Sequence, residues 1–276
     1  MERFPILEKS LFDQLFEKYH TRGYVHPDPL EFLYSYEDKQ DREIAGLIAA
    51  LLAYGRVAQI LDSVGKVLRQ ISPPRKFLEQ ATAREIHHAL SGFKHRFTTA
   101  EALAWLLNRS KWIINQFGSL EACFRSRFSK EDSTVLPALS NFVSTFTDGK
   151  VPEGHWIIPN PDRGGACKRL HLYLRWMVRQ DEVDPGGWQG IPKSKLLIPL
   201  DVHMHRLALL LGLTGRKQAD LKAVLEVTEA FQTIAPDDPV RYDFALTRLG
   251  IRPELNLKET LREYLSEKPG GKKASA

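Results

Sequence analysis

The fold class predicted by the sequence is all-α, and three observations predict it. Apolar residues recur at i, i+3, i+4 and i+7 in segment after segment, as one face of a helix requires. The alternation of apolar and polar residues that marks a half-buried strand is nearly absent. The periodic segments are punctuated by clusters such as SPPR, TDGK and APDDP, whose Pro, Gly and Asp residues end helices.

Taken in order, the stretch MERFPILEKSLFDQLFEKY reads as the start of an amphipathic helix. It carries acids and lacks the apolar core and cleavage site of a signal peptide. In DREIAGLIAALLAYGR, Ile44, Leu47, Ile48, Leu51 and Leu52 form one apolar stripe, and Asp41 is placed to cap the helix start. The same spacing recurs in QILDSVGKVLRQI, AEALAWLLNRSKWII, VLPALSNFVSTF, KRLHLYLRWMV, HRLALLLGL and KAVLEVTEAFQTI. Two segments break the regularity: residues 147–166, rich in Pro and Gly, and RQDEVDPGGWQGIPKSK. Loops of that length are expected to serve function. The tail, residues 268–276, is small, basic and turn-prone, and is expected to be disordered.

A chain of 276 residues can bury one large core or two modest ones. Its apolar runs are too short to span a bilayer, and no membrane association is expected. Cys123 and Cys167 are too few for a disulfide framework or a cysteine-only metal cluster; they read as free thiols in a reducing compartment. The expected location is therefore cytoplasmic. The net charge of +5 is mild, but residues 163–217 hold ten Lys and Arg against four Asp and Glu. That excess is either a phosphate-facing surface or a solvated face.

Three stretches could carry chemistry. Asp201 follows Pro199 and precedes an apolar helix, so it reads as an N-cap whose carboxylate direction is fixed by backbone N–H groups. The metal alternative needs Asp201, His203 and His205 on a strand, where i, i+2 and i+4 share a face. On a helix beginning at Val202 the two histidines diverge by about 200° and cannot share one ion. No companion ligand set stands out among the other histidines, so no metal and no cofactor are expected. In GGACKRLHLYLRWMVR, Gly164 and Gly165 permit a tight turn, and the helix that follows aims its unpaired N–H groups at whatever lies there. Leu170, Tyr173, Leu174 and Met177 make the buried stripe of that helix, and Lys168, His171, Arg175 and Arg179 a basic face opposite. Lys168 is either one more solvated lysine or, at the helix start, an amine nucleophile.

The order of LIAALLAYGRVAQILDSVGKVL, GFKHRFTTAEALAWLL, GGACKRLHLYL and IPLDVHMHRLALLLGL resembles the helix-hairpin-helix DNA glycosylases, the group of endonuclease III and the 8-oxoguanine glycosylases, over residues 41–250. In that superfamily a glycine-rich hairpin ends in a lysine and a later V-D-x-H segment supplies an aspartate, positions that Lys168 and Asp201 match. Their separation resembles the archaeal 8-oxoguanine glycosylases. The second hairpin glycine is displaced, since Gly164, Gly165, Ala166 and Cys167 precede the lysine. The resemblance implies two helical lobes flanking a cleft: a central bundle with the hairpin over 41–180, and a second lobe from 1–40 and 181–276. It implies excision of a damaged base, an oxidised purine such as 8-oxoguanine, from double-stranded DNA, with Lys168 and Asp201 catalytic. Arg56, Arg169, Arg175, His203 and the Gly164–Gly165 backbone would contact DNA, and Trp188 would stack on a base. No protein partner is indicated, and the bound protein would lie at the nucleoid. The rivals are a non-catalytic DNA- or RNA-binding helical protein and a metal-dependent hydrolase using Asp201, His203 and His205. The chain as a whole also resembles a bacterial family known only as a domain of unknown function, which names no substrate.

Overall fold

The computed structural model of the protein describes residues 7–147, 157–251 and 259. These residues fold mostly into helices: α1 (Lys9–Tyr19), α2 (Lys39–Leu51), α3 (Val57–Gln70), α4 (Pro74–Gln80), α5 (Ala83–Ala89), α6 (Ala100–Phe117), α7 (Leu120–Arg125), α8 (Leu136–Thr147), α9 (Lys168–Val178), α10 (Val202–Leu211), α11 (Leu221–Gln232) and α12 (Asp243–Ile251). One two-stranded hairpin, β1 (Lys94–His95) with β2 (Thr98–Thr99), interrupts them, with Lys94 opposite Thr99 and His95 opposite Thr98. The all-α expectation holds, and every periodic segment of the sequence lies on a helix. Among the described residues no helix is long and apolar enough to cross a membrane. The tail 268–276 and much of the Pro/Gly-rich stretch lie outside the described residues.

The centre of the fold is α2, buried at every position from Glu43 to Leu51. Its stripe packs on α9 and on a 3-10 segment, Pro29–Ser35. The approach is close at Gly46, where a Cβ would lie 3.2 Å from Leu33 Cδ2 and 3.3 Å from Met177 Sδ. Asp38 caps α2, accepting from the N–H groups of Gln40 and Asp41. Asp41, the expected cap, sits one turn later and accepts from Arg75 N–H at 2.7 Å, which ties α4 to α2.

Glu43 is the polar anchor of this core. Its carboxylate accepts from the N–H groups of Leu120 and Glu121, the unsatisfied donors at the start of α7, and from Trp188 Nε1 at 3.0 Å. Burial nevertheless pushes its carboxyl up to about 7, against those three donors. Trp188, expected to stack on a base, is itself core: it is 4% exposed and its ring meets Tyr173 edge-on at 5.2 Å. The described parts of the chain ends meet where α1 packs on α12, and α10 packs on α12 from another side. A continuous hydrophobic core runs from Leu11 to Leu249 through all of these helices.

Candidate active site

α9 and α10 each begin at the same cavity, and that coincidence builds the site. Lys168 is the first residue of α9, and Cys167 before it holds the left-handed conformation, φ +43, that turns the chain into the helix. Asp201 caps α10: its Oδ1 accepts from Met204 N–H at 2.8 Å, as an N-cap should. The other oxygen, Oδ2, lies 3.5 Å from Lys168 Nζ, with the lysine side chain 30% exposed and the aspartate 16%. Both line a cavity of about 400 Å³. The amine therefore has one carboxylate beside it and open volume around it.

The cavity wall comes from separate parts of the chain. Pro27 and Asp28 precede the 3-10 segment; Tyr54, Gly55 and Val57 lie at the α2–α3 junction; His203 comes from α10, and Asp243, Thr247 and Arg248 from α12. Arg248 Nη2 donates to Asp28 at 2.8 Å, and Arg175 Nη1 donates to Asp243. Burial pushes the Asp243 carboxyl up to about 6; Arg175 opposes the shift and Asp201 adds to it. Sequence reasoning missed Asp28, Tyr54, Asp243 and Arg248. The Asp28-Pro29 pair is a cap-and-first-turn signature that would have found a helix start there, but nothing in local pattern points a charged pair on α12 toward Lys168.

The remaining expected site residues separate into two groups. Arg56 is exposed at the start of α3, between the cavity residues Gly55 and Val57, and His203 lines the cavity while packing on Gly250. Gly165 is exposed in the turn before α9 and bridges to Asp220. The other expectations are corrected. Arg169 points inward and donates to the carbonyls of Leu51 and Ile157 at 2.6 and 2.8 Å, satisfying the end of α2, so it is committed within the fold. Gly164, at φ +73, donates its N–H to the Pro161 carbonyl, so that donor is not left for a phosphate. Arg175 contributes to the cavity wall but is 3% exposed, and its guanidinium is committed to Asp184 and Asp243 rather than left for a phosphate.

The supposed basic face of α9 is thus an interior network. Burial works against the Arg175 charge, but Asp184 and Asp243 outweigh it and hold the guanidinium more firmly protonated than usual. Arg179 spans Asp181, Asp184 and Asp238. His171 is also buried, with both ring nitrogens unpartnered among the described residues, and burial pushes it down to about 4. Much of the positive excess over 163–217 is therefore neutralised internally. Helical spacing gives the angular position of a residue and not what packs over it, which is why the ladder of Lys168, His171, Arg175 and Arg179 read as a surface.

Among the described residues, neither candidate metal set suits an ion. A helix from Val202 sends His205 away from Asp201, and its Nε2 pairs with Arg216 O at 2.8 Å. His20, Asp181 and Asp184 bring ligand atoms within 4.8 Å of one another, but Arg179 already donates to both carboxylates and occupies the position of positive charge.

The model of one family matches residues 28–252. The chain belongs to the family described as Protein of unknown function (DUF2400). Of the residues that line the cavity, all but Pro27 lie within the matched span. No curated protein and no solved structure matches the chain.

Proposed function

We propose that the protein is a DNA glycosylase with AP-lyase activity, acting on a damaged base in duplex DNA, an oxidised purine such as 8-oxoguanine. The observation that carries this reading is the pair Lys168–Asp201 at 3.5 Å in a cavity of about 400 Å³, a volume in the range of small-molecule sites and adequate for one nucleobase. A primary amine beside a carboxylate is the minimum needed for covalent attack at a sugar carbon. Asp201 takes a proton from Lys168; the freed Nζ attacks C1′ of a nucleotide flipped from the duplex as the C1′–N bond breaks. The base leaves with the bonding electrons and takes up the proton held by Asp201, whose restored carboxylate offsets the positive charge that develops on the sugar. Ring opening gives a Schiff base on Lys168, from which the strand can be cleaved by elimination.

On this reading the turn from Gly164 to Cys167 stands at the place of the superfamily hairpin and delivers Lys168 to the cavity, and the cavity is the cleft between a central bundle and the lobe made by the chain ends. Support for the turn is its geometry, left-handed at both Gly164 and Cys167 directly before α9. The oxidised-purine assignment rests on the likeness to the archaeal enzymes alone.

The test is borohydride trapping on duplexes carrying 8-oxoguanine, uracil, an oxidised pyrimidine or an abasic site. The expected result is a covalent adduct with one lesion that disappears in Lys168→Gln, and a rate lowered by ~10²–10⁴-fold in Asp201→Asn. Duplex binding with no adduct on any substrate would replace this reading with that of a non-catalytic nucleic-acid-binding protein.

A further inference from the structure

Phe97 is 77% exposed, the most exposed large hydrophobic side chain among the described residues. An isolated apolar residue at a surface is ordinary. What sets this one apart is how rigidly it is held, and where. It occupies the second position of the two-residue turn between β1 and β2, and Arg96 occupies the first at φ +52, a left-handed conformation that such turns normally give to glycine. The stem of the hairpin is fixed to the cavity wall. Tyr54 Oη donates to His95 O at 2.9 Å and lies 2.7 Å from Thr98 Oγ1, while buried His95 meets Tyr54 O at 3.0 Å and Ser63 Oγ at 2.9 Å. The tip is fixed too, because the Arg96 side chain lies on Gly55, with its Cδ only 2.7 Å from where a Cβ would be. Tyr54 and Gly55 both line the cavity that holds Lys168 and Asp201.

The surroundings of the ring point to a polyanion. Lys94, Arg96 and Arg56 are all exposed, residues 91–100 contain no Asp or Glu, and the Arg96 guanidinium lies 5.5 Å from the Phe97 ring centre. Val57 and Val202, also exposed, line the same cavity. We infer that Phe97 is a wedge that enters the base stack of duplex DNA and fills the gap left when a nucleotide turns into the cavity. This rests on the glycosylase reading of that cavity. A flipped nucleotide leaves two neighbours unstacked, and an aromatic ring inserted between them restores contact and opposes the return of the base. A side chain presented on a braced turn makes that contact with little further ordering.

The test uses the full chain with an 8-oxoguanine duplex carrying 2-aminopurine beside the lesion, and compares wild type, Phe97→Ala and Phe97→Trp. Single-turnover excision and 2-aminopurine emission are read together, with thermal melting to show that each variant is folded. Phe97→Ala is expected to lower excision by about ten- to a hundredfold and to reduce the emission rise. The loss should be smaller on the single strand, which has no stack to hold open. Phe97→Trp should retain excision, and its added indole should be quenched by duplex. Wild-type excision and emission in Phe97→Ala would overturn the wedge while leaving the glycosylase reading in place. Failure of the wild type to bind the duplex or excise any base would overturn both. An indole in Phe97→Trp that responds to anionic vesicles and not to DNA would make the tip a membrane contact and overturn the wedge.

Discussion

The two ends of α9 use cations in opposite ways. At the carboxyl-terminal end Arg175 and Arg179 are each 3% exposed, and each meets two or three carboxylates. A buried charge survives only when it is paired and hydrogen-bonded, and a cation is favoured near a helix C-terminus. At the amino-terminal end Lys168 has, among the described residues, a single carboxylate at 3.5 Å, one oxygen of which is already committed to capping α10. It also stands where the helix dipole disfavours a positive charge. Stability accounts for the arginines, whereas the lysine is placed against it and faces open volume. The difference separates charges that hold the fold from a charge available to a ligand.

The sharpest way to break this comparison is to remove one cation from each end. Arg175→Met strands Asp243 in the interior and leaves Asp184 to Arg179 alone, and is expected to cost ~3–5 kcal/mol in chemical denaturation. Lys168→Gln, at a partly exposed pair, should change stability by less than ~1 kcal/mol. Equal losses would show that Lys168 is as structural as the arginines.

A second effect comes from His171, between the two ends. Its ordinary value is 6.5 and burial lowers it to about 4, so the unfolded chain takes up the proton first as the pH falls. Its contribution is complete above pH 6.5 and is lost as the pH drops through the folded value near 4, a total of ~3 kcal/mol. Glu43 and Asp243, raised to about 7 and about 6, act in the opposite sense: their contribution is present at low pH and is lost as the pH rises through those values. They are common to both proteins, so the difference between wild type and His171→Leu isolates the histidine. Denaturation from pH 4 to 7 should give a shallower acid-side loss in the variant; parallel curves would mean that His171 takes up its proton as readily in the fold as in the unfolded chain.

The smallest effect extends the comparison to the cavity rim. Arg56 is exposed, and if it belongs with Lys168 among the available charges, Arg56→Ala should weaken duplex binding on every sequence and lower the salt slope by about 1. An unchanged slope in fluorescence anisotropy would place Arg56 outside the DNA footprint.

The helices were legible because α2, α3, α6, α8, α9, α10 and α11 carry their own apolar stripes. α4, α5 and α7, with six or seven residues each, are too short for a period to repeat. Lys168 and Asp201 are each marked locally, one by glycines and the other as a capping aspartate, but their pairing is expected only from the likeness to the glycosylases. The burial of Arg175 and Trp188 could not be anticipated. Their partners Asp184, Asp243 and Glu43 are supplied by other segments, and no local pattern records that a carboxylate will arrive from far along the chain. The hairpin that carries Phe97 escaped notice because strands of two residues leave no alternation to read.

The interior network of Arg175, Arg179, Asp184 and Asp243 also constrains how related chains can drift apart. Loss of Arg175 leaves Asp243 without its cation, so the tolerated steps there are joint ones. A homologue lacking Arg175 should have neutral residues at the positions of Asp184 or Asp243 as well, and intermediates with only one change should be rare. Lys168 and Asp201 face the reverse rule: their pairing is weak enough for either to be lost without unfolding the chain, so their retention across lineages would record selection for chemistry alone.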